Sequence, residues 1–182
     1  MDANKLRNLY AAGERNFNGT NLHQVNLTHS DLRGANLTEA DLSGADLSQA
    51  NLSGCNLSRA NLTDAELNGA NLSGANLSEV NLIGADLIEV NLEATNLSRA
   101  DLRSANLVLA NLLGANLSEA DMSGADLRDA NLNNANLIGS NIDEAELDGA
   151  DLTGAIITEQ EITSRTLHIG LSHKWITWAG SC

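Results

Sequence analysis

Ala35-Asn36-Leu37-Thr38-Glu39 and Ala45-Asp46-Leu47-Ser48-Gln49 are two copies of one five-residue word, Ala-Asn/Asp-Leu-Ser/Thr-x, that fills most of the chain. With the Leu taken as position i, word centres recur every five residues from Phe17 to Leu152. There are 28 centres, of which 25 are Leu and the others are Phe17, Met122 and Ile142. Because self-similarity at a fixed period is typical of solenoids, the repeat predicts a rod and not a globular core.

The word also predicts which positions face inward. Position i−2 is nearly always Ala or another small residue. On an extended segment, positions i−2 and i point to the same side, so we expect both inside the rod and i−1 outside. Positions i+1 and i+2 are rich in Ser, Thr, Asn and Gly, which favour tight turns. Each word therefore predicts one short extended side and one corner.

The pattern A(D/N)LXX, almost unbroken over residues 16–155, resembles the pentapeptide repeat family, and its cyanobacterial members most of all. This resemblance implies an all-β fold, a right-handed quadrilateral parallel β-helix with four words, or twenty residues, in each coil. The 28 words would then form about seven coils. Every twentieth i+2 residue from Glu39 agrees with this coil length, because the charges alternate through Arg59, Glu79, Arg99 and Glu119.

The two ends of the chain depart from the repeat and predict separate elements. In residues 1–15, Asp2 can begin a short helix with Leu6, Leu9 and Tyr10 on one side, Lys5 and Arg7 off that side, and Gly13 after it. We expect this helix to cap the first coil of the β-helix, and a docking helix for a partner is the alternative.

Residues 156–182 keep only a degenerate form of the repeat and contain the two tryptophans, Trp175 and Trp178. Large aromatic side chains at the end of a solenoid are expected to form a C-terminal cap over the last Leu layer. The alternative is a homodimer joined through the C-terminus, which is the dimer mode that the family resemblance implies.

Charge and composition exclude several classes of function. The formal net charge is −14, and residues 16–155 alone hold 20 acids against 5 arginines. This sign opposes direct binding to nucleic acid or to an anionic membrane. The first residues lead into no apolar signal core, and no run of about 18 apolar residues is present. We therefore expect a cytoplasmic protein.

Catalytic and metal-binding patterns are not found in the sequence. Cys55 and Cys182 form no disulfide framework, and Cys55, at an i−2 site, is expected to be a small buried thiol. The spacing of His168, His173 and Cys182 matches no compact zinc motif. No phosphate-binding loop or nucleophile elbow is present. The sequence predicts a protein that is not an enzyme and needs no cofactor or metal.

Two outward groups are the candidate sites. Apolar residues occupy corner positions that are polar elsewhere, namely Ile83, Ile88, Val108, Leu109 and Leu113. They are either a partner surface or scattered, tolerated hydrophobes. Acids fill most of one i−1 column, at Asp46, Glu66, Asp86, Asp126 and Glu146. Stacked like charges cost stability, so this acidic face suits either a basic partner or a purely solubilising role.

Two functions remain open. The first is a non-catalytic, rod-shaped protein–protein interaction module that binds an unknown protein partner through its outer faces. The second is an acidic DNA mimic that inhibits DNA gyrase or another type II topoisomerase, as the family resemblance implies for some members. This chain departs from those members, since its core is rich in Leu and not Phe and no loop interrupts the repeat.

Overall fold

The computed structural model describes residues 1–157 and the short strand at residues 177–178. It contains one helix, α1 (Ala3–Ala11), and two short strands, β1 (Ile156–Ile157) and β2 (Thr177–Trp178), which pair in parallel. Between α1 and β1 the chain consists of tight turns joined by single-residue bridges. The extended sides predicted for each word are thus too short to form regular strands, because turns take up most of each five-residue word.

The twenty-residue coil is confirmed by the bridges. Each residue at i−1 pairs in parallel with the residue twenty positions further along, beginning with Asn16 opposite Asn36. The same column continues without a break to Ile156, through seven such steps. Four words therefore complete one coil, and each coil lies directly on the one before it.

The hydrogen bonds of one word explain why its sequence is so restricted. In the word from Ala50 to Gly54, the N–H of Ala50 donates to the turn carbonyl of Leu47, and the N–H of Asn51 donates to the previous coil. The N–H groups of Leu52 and Gly54 donate to the next coil. The N–H that remains, on Ser53, donates to Oδ1 of Asn51 at 3.1 Å. All five donors have acceptors, and the last one requires Asn or Asp at i−1.

Each corner has the same backbone conformation. At all 28 i+2 sites from Gly19 to Gly154, φ lies between +53° and +76°. The i+1 residues are not in this region, and the N–H at i+3 bonds the carbonyl at i, as from Ala40 to Leu37 at 3.0 Å. These are the features of a type II turn. The corners therefore repeat as regularly as the sides, and the columns of side chains stay aligned along the rod.

The i and i−2 columns form the core, as predicted. The Leu side chains at position i from Leu22 to Leu137 are at most 2% exposed, and the small i−2 residues lie beside them. Cys55 is also buried, its thiol contacts the carbonyl oxygen of Leu32 at 3.0 Å, and burial raises its pKa to about 11. Thr95 and Ser140 are buried at the same position because each hydroxyl donates to the carbonyl of its own turn.

Helix α1 lies on the first coil. Asp2 caps it by accepting the N–H of Lys5, and Leu6 is fully buried against the core. The first coil has no coil before it, so some of its carbonyls would lack donors. The N-terminal amine of Met1 donates to the carbonyl of Asn21, Arg7 to that of Asn26, and the Tyr10 hydroxyl to that of Arg33. Arg7 was expected off the contacting side, but its long side chain reaches back to the coil.

The other end of the rod is described only in part. β1 continues the stack, with Ile156 opposite Thr177 and Ile157 opposite Trp178 in the parallel pair. Residues 158–176 and 179–182 lie outside the described part of the chain. The C-terminal cap or dimer contact expected from Trp175 and the metal ligands considered at His168, His173 and Cys182 fall there.

Candidate functional site

The structure distributes the apolar candidates over three of the four corners. Ile83 lies in the turn 82–85, whereas Ile88 and Val108 occupy equivalent turns of successive coils. Leu109 follows Val108 in the same turn, and Leu113 lies in the turn 112–115 at the next corner. The structure therefore brings together Ile88, Val108 and Leu109. It places Ile83 and Leu113 at the two flanking corners, each separated from that trio by one side of the coil.

Leu109 is the most exposed member of the group. Its side chain is 52% exposed, whereas the other four are half-buried. Its backbone φ of +60° is unusual for Leu, and the residues one coil away in its i+2 column are Glu89 and Asp129. We name this column of turns the Leu109 corner. Glu89 and Asp129 were not among the residues expected from sequence, although the twenty-residue spacing that relates Glu39 to Arg59 also relates them to Leu109.

The predicted acidic residues form one continuous column on the side that leads into the Leu109 corner. Successive bridges join Asp46 to Glu66, Glu66 to Asp86 and, through Asn106, Asp86 to Asp126 and then Glu146. Glu66 and Glu146 are exposed and the three Asp side chains are half-buried. The five acids therefore lie on one face of the rod.

Arg128 neutralises part of this column at its C-terminal end. Its guanidinium binds Asp126 at 2.6 Å and Glu146 at 3.3 Å, so it bridges two coils. The hydrogen bond from Arg128 lowers the pKa of the Asp126 carboxyl below its usual value, against the opposing effect of partial burial. The face is thus less negative around Asp126 than its sequence indicates.

Asp86 has a carboxylate oxygen without a hydrogen-bond partner. The preceding coil has Glu66 at i−1, where Asn or Asp normally accepts the local i+1 N–H. Asn68 instead extends to the next coil, where its Oδ1 accepts the N–H of Ile88 at 3.0 Å and its Nδ2 donates to Asp86 Oδ2 at 2.9 Å. Asp86 Oδ1 is buried and left unpaired. This irregularity lies one coil below Val108 and adjoins the Leu109 corner.

We name the corner that carries Glu39 the Glu39 corner. Its negative charges are largely neutralised by arginines of the same column. Arg59 contacts Glu39 at 3.5 Å and Glu79 at 3.2 Å, and Arg99 binds Glu119 at 2.8 Å. The side chains of these pairs are about half exposed, so solvent screens each pair and its contribution to stability is small. The alternating column predicted from sequence is confirmed, and it stabilises the rod without leaving a strong net charge at this corner.

One cluster has the residue types of a hydrolase but not the geometry. His23 Nδ1 lies 2.8 Å from Ser43 Oγ, and Ser43 donates its proton to Asp41 at 2.6 Å. Because the hydroxyl proton is used by Asp41, the His ring can only donate to Ser43 and does not act as its base. The hydrogen bond from Ser43 lowers the pKa of Asp41, which keeps the carboxylate ionised. The contact therefore ties two coils together and does not activate a nucleophile.

Over residues 1–157, no three His, Cys, Asp or Glu residues are grouped closely enough to hold a metal ion. In the same part of the chain, no helix has the length and apolar character needed to cross a membrane. Side chains available for recognition in this range are therefore those of the four corners and of the outward i−1 columns.

A rod of stacked twenty-residue coils, with a Leu core and chemistry only on the outside, defines a repeat protein of the solenoid class. Eight copies of the pentapeptide repeat model match the chain, over residues 16–54, 55–93, 95–134 and 120–158. The chain belongs to the pentapeptide repeat family. Proteins of this family fold as right-handed quadrilateral β-helices.

Solved structures include several similar proteins. A trypsin-treated form of QnrB1, a plasmid-mediated fluoroquinolone resistance protein, aligns over 88% of this chain and 87% of its own with a TM-score of 0.72. At 22% identity this likeness concerns the fold alone. HetL, a pentapeptide repeat protein involved in heterocyst differentiation regulation in the cyanobacterium Nostoc sp. strain PCC 7120, is 32% identical over 86% of this chain and 97% of its own, with a TM-score of 0.42.

Rfr23 from the cyanobacterium Cyanothece 51142 is 31% identical over 84% of this chain and 96% of its own, with a TM-score of 0.34. The cyanobacterial likeness expected from the sequence is thus confirmed. No curated protein matches the chain.

Proposed function

We propose that the protein is a non-catalytic, rod-shaped protein–protein interaction module that acts through its outer faces. The observation that supports this proposal is the separation of buried and outward columns. Leu and small side chains fill the inside along the rod, and in the described part of the chain the exposed large apolar residues are Met1, Leu109 and Ile138. Recognition through the surface therefore suits this architecture, whereas chemistry in an interior cavity does not.

Regular backbone pairing makes the rod a rigid surface on which side chains are evenly spaced for contact with a partner. Residues of one column repeat at roughly the inter-strand spacing of 4.8 Å, and their turns share one conformation. A partner that contacts several coils would lose little free energy in ordering this surface, because the coils are already ordered.

Site-specific photo-crosslinking tests the proposal. A photoreactive residue is placed at one i+1 position on each of the four corners, for example at Ser78, Ile83, Val108 and Leu113. We expect at least one of these positions to yield a defined crosslinked protein in the source cells, while a matched position at another corner yields none. Absence of a crosslinked protein from all four positions would contradict an interaction module of any kind.

The proposal includes a cytoplasmic setting, no cofactor, and a C-terminal end that either caps the rod or joins two copies. Light scattering on the full chain decides between the last two. A monomer at high concentration excludes the homodimer, whereas a dimer lost on Trp175→Ser with Trp178→Ser supports it.

The second candidate is the acidic DNA mimic that inhibits DNA gyrase. The observation in its favour is linear charge density. Residues 16–155 hold 20 acids and 5 arginines, a net charge of −15. Over about seven coils at roughly 4.8 Å each, this is about one net negative charge per 2 Å, close to the roughly 1.7 Å of duplex DNA.

A supercoiling assay with purified gyrase tests this second candidate. Inhibition should be lost when Asp126 and Glu146 are both changed to Lys, and retained in the control Glu119→Lys at the Glu39 corner. Unaffected supercoiling at micromolar concentrations of the full chain would exclude the DNA mimic and leave the first proposal standing.

A further inference from the structure

We propose that the Leu109 corner binds a basic amphipathic segment of another protein. Apolar side chains of the segment pack on Ile88, Val108 and Leu109, and its Lys or Arg residues pair with Glu89 and Asp129. This inference rests on the proposed interaction function and names the partner's chemistry and the place where it binds.

Leu109 contributes little to the fold. Its side chain is 52% exposed, so it contributes little to the core. Its φ of +60° is costly for a residue with a bulky side chain. The other residues that adopt positive φ are Gly, polar or charged residues, and Ala94, which makes Leu109 the one large apolar residue in this conformation among those described. Contact with a partner would give Leu109 a role in binding that it does not have in folding.

Leu109 also extends an apolar surface formed by Ile88 and Val108. Ile88 and Val108 occupy the same turn position in adjacent coils, which are joined by the hydrogen bond from the Glu89 N–H to the Val108 carbonyl at 3.0 Å. Both side chains are half-buried, so the trio presents one small apolar patch on an otherwise polar rod. A patch of this size anchors a few apolar side chains and needs additional contacts for specific binding.

The charges around the patch complement a cationic segment. Glu89 and Asp129 flank Leu109 one coil below and one coil above, and Asp86 and Glu66 of the acidic column lie along the adjoining side. At the Glu39 corner the same fold alternates Glu with Arg. At the Leu109 corner the i+2 column contains no Arg or Lys among residues 29–149, and the one cation of its i+1 column, Arg128, is paired with Asp126 and Glu146. The acids around the patch therefore favour a cationic occupant.

The sign of the charge also excludes other occupants. Nucleic acid and anionic membranes would be repelled, and so would the acidic rod of a second copy, with its net charge of −15 over residues 16–155. A purely basic segment would be attracted but would leave Leu109 unused. The combination of apolar anchor and acidic surround points to a segment with both kinds of side chain.

Fluorescence anisotropy with labelled synthetic peptides tests the inference on the full chain. The probe is a short amphipathic peptide of Lys and Leu, and its matched control is a peptide with the same Lys residues and Ser in place of Leu. Leu109→Ser should weaken binding of the Lys/Leu peptide about tenfold, whereas Ile138→Ser, which alters a 38% exposed apolar residue at another corner, should leave it unchanged. Ser is compatible with this backbone, since Ser104 has φ +56°.

The charge part of the inference has its own variant pair. Glu89→Gln with Asp129→Asn should weaken binding about tenfold and reduce its salt dependence, while Glu119→Gln at the compensated corner should do neither. Equal loss in Leu109→Ser and Ile138→Ser, equal binding of the Lys/Ser peptide, or no binding of the Lys/Leu peptide would each overturn the inference. If one of these results were obtained but a photoreactive residue at another corner still crosslinked to a protein, the inference about the Leu109 corner would fail and the proposed interaction function would stand.

Discussion

Asn68 donates from Nδ2 to Asp86 Oδ2 at 2.9 Å across one coil, in a place where other words form their hydrogen bonds locally. Elsewhere an Asn or Asp at i−1 accepts the N–H two residues later, as Asn71 does from Ser73 at 3.0 Å. Glu66 has one more methylene group than Asp, and no such bond forms in its word. Asn68 is thereby released to accept the N–H of Ile88, and Asp86 Oδ1 loses its normal donor.

Glu66→Asn should therefore stabilise the protein. The shorter side chain restores the local bond to the N–H of Asn68, and the Ile88 N–H becomes available to Asp86. We expect the free energy of unfolding to rise by about 0.5–1.5 kcal/mol, measured by urea denaturation. Glu66→Gln is the control, because it removes the charge without shortening the side chain. An equal gain in both variants would mean that charge relief, and not the turn, limits stability here.

Leu109→Gly should also stabilise the rod, although Gly normally weakens regular structure. Gly adopts φ +60° without steric cost, and the exposed Leu side chain contributes little burial. We expect a gain of about 0.5–1 kcal/mol in denaturant unfolding. Leu113→Gly is the matched control, since Leu113 is not at positive φ and should lose stability. A loss at both positions would show that Leu109 has a structural role and would weaken the case for a docking surface.

The five-residue word predicted the core because one physical pattern fixes it. Leu at i and a small residue at i−2 point the same way, and the structure buries nearly all of both columns, with Thr20, Val25 and Ala145 partly exposed. The twenty-residue coil was implied by the resemblance to the pentapeptide repeat family, and the alternation of Glu39, Arg59 and Glu79 agreed with it because these residues are neighbours one coil apart.

The candidate site was less predictable because its five apolar residues were grouped by their departure from the polar corner pattern. The twenty-residue spacing stacks Ile88 under Val108 but puts Ile83 and Leu113 at the flanking corners. The contacts of Asn68 with the next coil could not be predicted from sequence either. They form because Asn68 Oδ1 takes the place of Asp86 as the acceptor of the Ile88 N–H. Similarly, the helical pattern around Leu6 and Tyr10 gave no indication that Arg7 would bind the first coil.

Asp126→Asn should destabilise the rod at neutral pH and have no effect in acid. The hydrogen bond from Arg128 holds the pKa of Asp126 below its ordinary value, so the ion pair contributes above about pH 4. Its contribution is lost as the pH falls through the folded-state pKa. Asn keeps the bond to the Arg128 N–H but not the charge, so we expect a difference of about 0.5–1 kcal/mol near pH 7 that shrinks as the pH falls through the folded-state pKa of Asp126.

A double-mutant cycle with Arg128→Gln identifies the partner responsible for this pH dependence. If Arg128 is that partner, Asp126→Asn in the Arg128→Gln background should have no pH-dependent effect between about pH 2 and 7. The measurement is urea unfolding at several pH values. A pH-dependent effect that persists without Arg128 would assign the stabilisation to the turn and not to the ion pair.

Arg7→Met should loosen the first coil without weakening the rest of the rod. The guanidinium donates to Ser30 Oγ at 3.0 Å and to the carbonyl of Asn26 at 3.1 Å, groups that have no earlier coil to bind. Met keeps the apolar stem and the helix propensity, so the variant removes the donors alone.

Because each coil contacts only its neighbours, we expect faster amide hydrogen exchange near residues 17–30 and unchanged exchange near residues 87–110. The loss of protection should correspond to about 1–2 kcal/mol, and Lys5→Met, at an exposed site of the same helix, should produce none. Uniformly faster exchange in both regions would mean that the rod unfolds as one unit and that α1 stabilises all of it.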